Sequence, residues 1–223
     1  MVWQTYDYYF EPTAAYFGCK KASEPLHIQW NPLSDSIEVV NYSARNGSDL
    51  TASLEVLNLD GTVKLEKKVA LDYQEDHTAP CIGMEYPAGL TSVYFLRLKL
   101  MRDNEIVSEN FYWRGLEQGN YQAFRKLPEV RLESKTTMKQ QANRWHLRTE
   151  LINPSKHPAL MVRLKVVREK SRDRILPVLY SDNYVSLMPG EHRTIKMEVE
   201  HADTRGERPD VVIDGFNVRK VRE

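Results

Sequence analysis

From Leu26 onward the chain alternates apolar and polar residues with a period of two, the sign of strands with one face buried. Leu26, Ile28 and Trp30 alternate with His27 and Gln29, and Ile37 and Val39 open a second strand ending near Tyr42. Ala52, Leu54 and Val56 lead to Asn58-Leu59-Asp60-Gly61, where Asp-Gly supplies the positive φ angles of a tight hairpin, so Thr62 to Leu71 is the return strand. Asp72 to Gly89, with Pro80, Gly83 and Pro87, reads as loop with room for one short edge strand. Tyr94, Leu96, Leu98 and Leu100 then alternate with Phe95, Arg97 and Lys99 in a long strand apolar on one side, turning at Arg102-Asp103-Asn104 into Ile106 to Trp113.

Arg114 to Lys126 is polar and precedes Pro128, which places a domain boundary there. The same grammar resumes beyond it: Val130 and Leu132, Trp145 to Leu151, Leu160 to Val166, Ile175 to Tyr180, a turn at Met188-Pro189-Gly190-Glu191, Ile195 to Val199, and Val211 to Phe216. The expected fold is all-β: two tandem immunoglobulin-like antiparallel β-sandwiches, residues 26–118 and 119–223, preceded by a short helical lead-in over residues 1–25. The halves echo each other, with IEVVN and TELIN ending in Asn41 and Asn153 before polar loops.

The lead-in is aromatic, and Glu11-Pro12-Thr13 before AAYFGCKKA is a helix start, because proline suits the first helical position. One or two turns of helix do not persist alone in water, so the segment needs a packing partner, either the first sandwich or another domain.

With 223 residues and 12 Tyr and 4 Trp, the chain has length and apolar content for two cores of ordinary size. No apolar run reaches the roughly 18 residues of a membrane span, and the first residues lack the basic and apolar regions of a signal peptide. Cys19 and Cys81 are too few for a disulfide framework. Residues 1–118 hold 10 Lys+Arg against 17 Asp+Glu and residues 119–223 hold 21 against 14, so a net charge of zero hides halves of −7 and +7. The basic run Arg163 to Arg174 is interrupted by Leu164, Val166, Glu169 and Asp173, which suits a solvated hairpin better than a phosphate-binding surface, so no nucleic-acid partner is expected.

The six histidines show no metal-ligand spacing, and neither a G-x-S-x-G nor a phosphate-cradling glycine loop occurs, so no catalytic residue, metal or cofactor is assigned. Asn41-Tyr42-Ser43 and Asn46-Gly47-Ser48 match the glycosylation sequon. Trp30, Trp113 and Trp145 lie among apolar i±2 neighbours and are expected in cores rather than on glycan platforms.

The run Tyr6-Asp7-Tyr8-Tyr9, Ala15-Tyr16-Phe17-Gly18, Lys20-Lys21-Ala22 and Glu24-Pro25-Leu26-His27, preceded by Trp3, resembles the segment that leaves the catalytic barrel in family 2 glycoside hydrolases of the exo-β-glucosaminidase and β-mannosidase type. Ser108 to Trp113 resembles the closing strand of the following sandwich. Ser181-Asp182-Asn183-Tyr184, Leu187 to Glu191 and Asp214-Gly215-Phe216-Asn217 resemble the next one. The resemblance implies the C-terminal, non-catalytic part of an enzyme that removes terminal β-linked glucosamine or mannose-type sugars with two barrel glutamates upstream, without an obligatory cofactor. It also implies that the partner is the catalytic barrel of the same parent chain, that Trp3, Tyr6, Asp7 and Tyr8 border the substrate pocket, and that the uncovered lead-in self-associates. Export of the parent fits such an enzyme, although compartment is not encoded here. A carbohydrate-binding module using exposed aromatics and an adhesion protein of Ig-like repeats are the competing readings, since sandwiches host many functions.

Overall fold

A computed structural model of the chain describes residues 4–222. After the helix α1 (Ala14–Ala22) come β1 (Leu26–Asn31), β2 (Ser36–Asn41), β3 (Gly47–Asn58), β4 (Val63–Tyr73), β5 (His77–Gly83), β6 (Val93–Arg102) and β7 (Glu105–Gly115). A 3₁₀ turn (Gln122–Lys126) precedes β8 (Glu133–Gln141), β9 (Arg144–Ile152), β10 (Ala159–Arg168), β11 (Leu179–Tyr180), β12 (Val185–Leu187), β13 (His192–Glu200), β14 (Pro209–Asp214) and β15 (Val221–Arg222), with a second 3₁₀ turn at His201–Thr204. The fold is all-β and immunoglobulin-like, as the alternation predicts.

The chain forms two compact units, one built from Cys19–Lys126 and the other from residues up to Gly18 together with those from Leu127. In the first, the sheet β1-β2-β5 faces the sheet β4-β3-β6-β7. Ile28, Ile37 and Val39 of one sheet and Leu50, Ala52, Leu54, Val56, Leu96, Leu98 and Leu100 of the other fill the space between them. In the second, β12-β10-β14-β15 faces β11-β13-β9-β8 over Leu147, Leu151, Val162, Leu164, Ile195, Met197, Val211 and Ile213. The Asp60-Gly61 hairpin forms, with only Gly61 of the pair at positive φ, 89°, and Asp72 to Gly89 holds one short strand, β5, at the edge of its sheet.

The two sandwiches share one loop device. At the end of β2 the Asn41 amide donates to the Arg45 and Gln74 carbonyls at 2.9 and 2.7 Å, and its oxygen accepts from the Ser43 backbone and hydroxyl at 3.0 and 2.6 Å. At the end of β9, Asn153 donates to the His157 and Leu187 carbonyls at 2.8 and 3.0 Å and accepts from the backbone and hydroxyl of Ser155 at 3.1 and 2.8 Å. Both asparagines are buried, so a side chain that resembles a sequon asparagine at 41 is the structural pin of a strand-to-loop exit.

Three features differ from the pattern. The strand β8 carries almost no apolar residues, and its buried-side positions are Ser134, Thr136 and Met138. Thr136 meets the buried Thr149 hydroxyl at 2.7 Å, which lets a polar edge strand complete the sheet. Phe95, on the side of β6 expected to face solvent, is fully buried because Phe111 and Phe124 stack on it, Phe124 arriving from the 3₁₀ turn in the expected linker. The basic run does turn as a hairpin, closed by the Val167–Arg174 bridge and exposed over residues 169–174, but its cations are tied down rather than solvated. Arg163 forks onto Asp214 at 2.8 and 2.9 Å, Arg172 pairs with Asp210, and the buried Arg168 donates to the Asp203 and Thr204 carbonyls at 2.8 and 3.2 Å.

Candidate functional site

The lead-in folds into a small closed loop before α1. Tyr6 bridges Pro12 in antiparallel fashion, and the Thr13 N–H donates to the Thr5 carbonyl at 2.9 Å. At the tip the Asp7 carboxylate accepts from the Tyr9 and Glu11 N–H groups at 2.8 and 3.0 Å, the turn that short acidic side chains favour. Phe10 sits at a φ of 64°, a left-handed conformation that a bulky residue rarely adopts. The backbone is therefore held to present Tyr8, Tyr9 and Phe10 together.

Two anchors tie this loop to the second sandwich. Phe17 of α1 is only 3% exposed and belongs to that sandwich's core, with its ring 6.1 Å from Tyr180 and 5.9 Å from Tyr184. Tyr16 packs against Phe17 and extends the contact to Tyr6 at 5.0 Å. The apolar partner that a short helix requires is thus the core of the second sandwich, reached through Phe17. The other anchor is Arg174, which pairs with Glu11 and with Asp7 at 3.3 Å while its guanidinium lies 4.8 Å from the Tyr9 ring centre. Arg174 comes from the basic run, and no sequence signal linked it to residues 163 positions away.

Tyr184 reaches Phe17 because its neighbour Asn183 is fixed, its amide exchanging hydrogen bonds of 2.8 and 2.9 Å with the N–H and C=O of Leu164. The Asp182-Asn183-Tyr184 run, noticed in the sequence only as a resemblance, therefore builds the seat of the lead-in.

Of the residues singled out as a pocket border, Tyr6 is half covered by Tyr16, Asp7 is the turn acceptor and partner of Arg174, and Tyr8 is 89% exposed, touching Tyr9 edge to face at 5.2 Å. Trp3 lies outside the described residues. Phe10, which the sequence reading did not single out, is 70% exposed and completes an apolar surface with Tyr8 and Tyr9. Asp7 and Glu11 both pair with one guanidinium nitrogen of Arg174, which ties their carboxylates into the anchor of the loop.

The Asp7 carboxyl is held below its ordinary value, chiefly by the Glu11 N–H, with the Tyr9 N–H and Arg174 adding to the effect. A depressed value in the folded loop stabilises it above the ordinary carboxylate range, and the contribution is lost as pH falls through the lowered value. The amide resonances of Tyr9 and Glu11 should therefore hold their positions down to about pH 4 and move only below it. Movement that is complete above that pH would show that Asp7 does not hold the turn.

Among the described residues, Trp30, Trp113 and Trp145 do not form open platforms. One face of Trp30 carries the Arg114 guanidinium at 4.1 Å, and its Nε1 donates to Asp35 at 3.0 Å. Trp113 meets Phe124 at 4.8 Å, and Trp145 packs on the second core.

Comparison with known proteins places this geometry. Residues 110–218 match the exo-β-D-glucosaminidase Ig-fold domain family. An exo-β-D-glucosaminidase of Streptomyces avermitilis is 30% identical over 96% of this chain and 26% of its own length. A mannosylglycoprotein endo-β-mannosidase of Lilium longiflorum is 29% identical over 96% of this chain and 29% of its own. The exo-chitosanase CsxA of Amycolatopsis orientalis superposes over 99% of this chain and 29% of its own with a TM-score of 0.92 at 29% identity. The chain thus spans about a quarter of the length of the curated relatives it matches.

Proposed function

We propose, from the exo-β-D-glucosaminidase Ig-fold domain that residues 110–218 carry, that this chain is the non-catalytic accessory region of a glycoside hydrolase acting on terminal β-linked glucosamine or mannose-type sugars. Its catalytic barrel is a covalently linked partner, and the lead-in is the end of that barrel, seated on the second sandwich. The observation that carries the reading is the loop itself. Phe17 and Arg174 anchor it from below, Arg174 lying against one face of Tyr9, while Tyr8 and Phe10 are held outward and largely exposed. A soluble surface seldom keeps three adjacent rings in a strained, braced turn unless something packs on them.

The sandwiches then serve as a rigid base, and Tyr6, Asp7 and Tyr8, with Trp3, form one border of the substrate approach. Occupied faces on Trp30 and Trp113 support this role over that of a separate carbohydrate-binding module, which needs open rings to stack on sugar.

The purified chain should not turn over p-nitrophenyl β-D-glucosaminide or β-D-mannoside, and titration with β-linked glucosamine oligosaccharides should give no heat of binding. Saturable hydrolysis by residues 1–223 would overturn the accessory reading, and tight glycan binding would establish the module instead.

A further inference from the structure

On the outer face of the sheet β11-β13-β9-β8, three cations from three adjacent strands, Lys139, Arg148 and Lys196, come close together. Along β9 the inward Leu147 and Thr149 are buried, so His146 and Arg148 point away from the core, and on β13 Lys196 and Glu198 do likewise opposite the buried Ile195 and Met197. Register sets these residues in two rows, Thr137 beside Arg148 beside Lys196, and Lys139 beside His146 beside Glu198. Together they line a cleft of about 290 Å³, close to the lower end of ligand pockets.

The charges in this cleft are not balanced. Glu198 is shared with Arg144 and His146 at 3.6 Å each, and Glu150 lies 3.1 Å from Arg148. Among the described residues Lys139 and Lys196 have no carboxylate within ion-pair distance. Arg148 and Lys196 stand directly opposite each other across the ladder, a like-charge pair that destabilises a sheet. On the other sheet of this unit Arg163 and Lys165 are both paired with Asp214. A like-charge pair that lines a concavity carries a cost that a bound anion would relieve.

We propose that Lys139, Arg148 and Lys196 form a binding site for an oxyanion, a phosphate or sulfate free in solution or a carboxylate borne by a saccharide. The guanidinium of Arg148 supplies a planar fork for two oxygens, the two ammonium groups flank it as point charges, and their aliphatic stems form the apolar walls. The site is independent of the lead-in loop and of the catalytic assignment.

Calorimetric titration of residues 1–223 at low ionic strength tests it with two probes, inorganic phosphate and trigalacturonate, and with uncharged maltotriose as control. At least one charged probe should bind saturably at millimolar or lower concentration, and added salt should weaken the binding. Lys196→Gln and Lys139→Gln, at exposed positions where folding is not at stake, should each weaken it by about tenfold, the loss of one charge-assisted contact. Binding of phosphate identifies a site for the free ion, and binding of trigalacturonate alone identifies the saccharide-borne carboxylate. Silence from both charged probes, equal binding of maltotriose, or binding unchanged by both substitutions would overturn the proposal.

Discussion

Replacing Phe17 by alanine is expected to lower the unfolding free energy of the second sandwich by about 3–5 kcal/mol, the usual cost of emptying a buried phenylalanine site. The ring is almost wholly buried and lies between Tyr180 and Tyr184, in the same core as Val166, Ile175 and Leu187. A nine-residue helix cannot persist without such packing, so the closed loop before it should be released as well. Urea denaturation reads the first effect, and hydrogen exchange of the Asp7, Phe10 and Thr13 amides, each bonded within the loop, reads the second. Unchanged stability together with retained protection of those amides would mean that the lead-in is held by something other than its core anchor.

The second large effect is expected at the paired asparagines. Asn41→Ala and Asn153→Ala each remove two donated and two accepted hydrogen bonds at a buried position and leave main-chain carbonyls without their donor, among them that of Leu187. Stranding buried polar groups costs about 1–3 kcal/mol for each group, so a loss of about 3 kcal/mol is expected from either substitution. Because the two constellations match bond for bond, the losses should be alike. A loss in one sandwich several times that in the other would show that the likeness of the loops is geometric without being energetic. Denaturant midpoints at constant slope give the comparison.

These asparagines also mark what the chain discloses by pattern alone. The parallel of IEVVN and TELIN pointed to matching strand ends, and strands with one buried face, such as β3 and β9, could be read from their alternation. The hairpin at Asp60-Gly61 could be read because a positive φ is required there. Legibility failed where tertiary packing overrode the local pattern. Strand β8 has too few apolar residues to announce itself and is recruited by pairing along β9. Phe95 looked solvent-facing because its cover, Phe124, lies 29 residues away in a segment that reads as linker.

The candidate site was legible in composition and not in contacts. Tyrosines before a helix suggested a surface made to be covered, and Tyr8 does stand open. What the pattern could not give was the seat beneath it. Arg174, Tyr180 and Tyr184 lie more than 150 residues further along, and side-chain pairs of that separation leave no periodic trace. The helix therefore has its partner within the chain for one face, while the loop that precedes it keeps its rings outward.

Hydroxyl-radical footprinting of Tyr8, Tyr9 and Phe10 tests the central claim most directly, carried out on residues 1–223 and on the same sequence joined to an upstream catalytic barrel. The account predicts fast oxidation of Tyr8 and Phe10 in the shorter chain and protection of about tenfold or more in the longer one, as expected when exposed rings become buried in an interface. Equal oxidation rates in the two would contradict it.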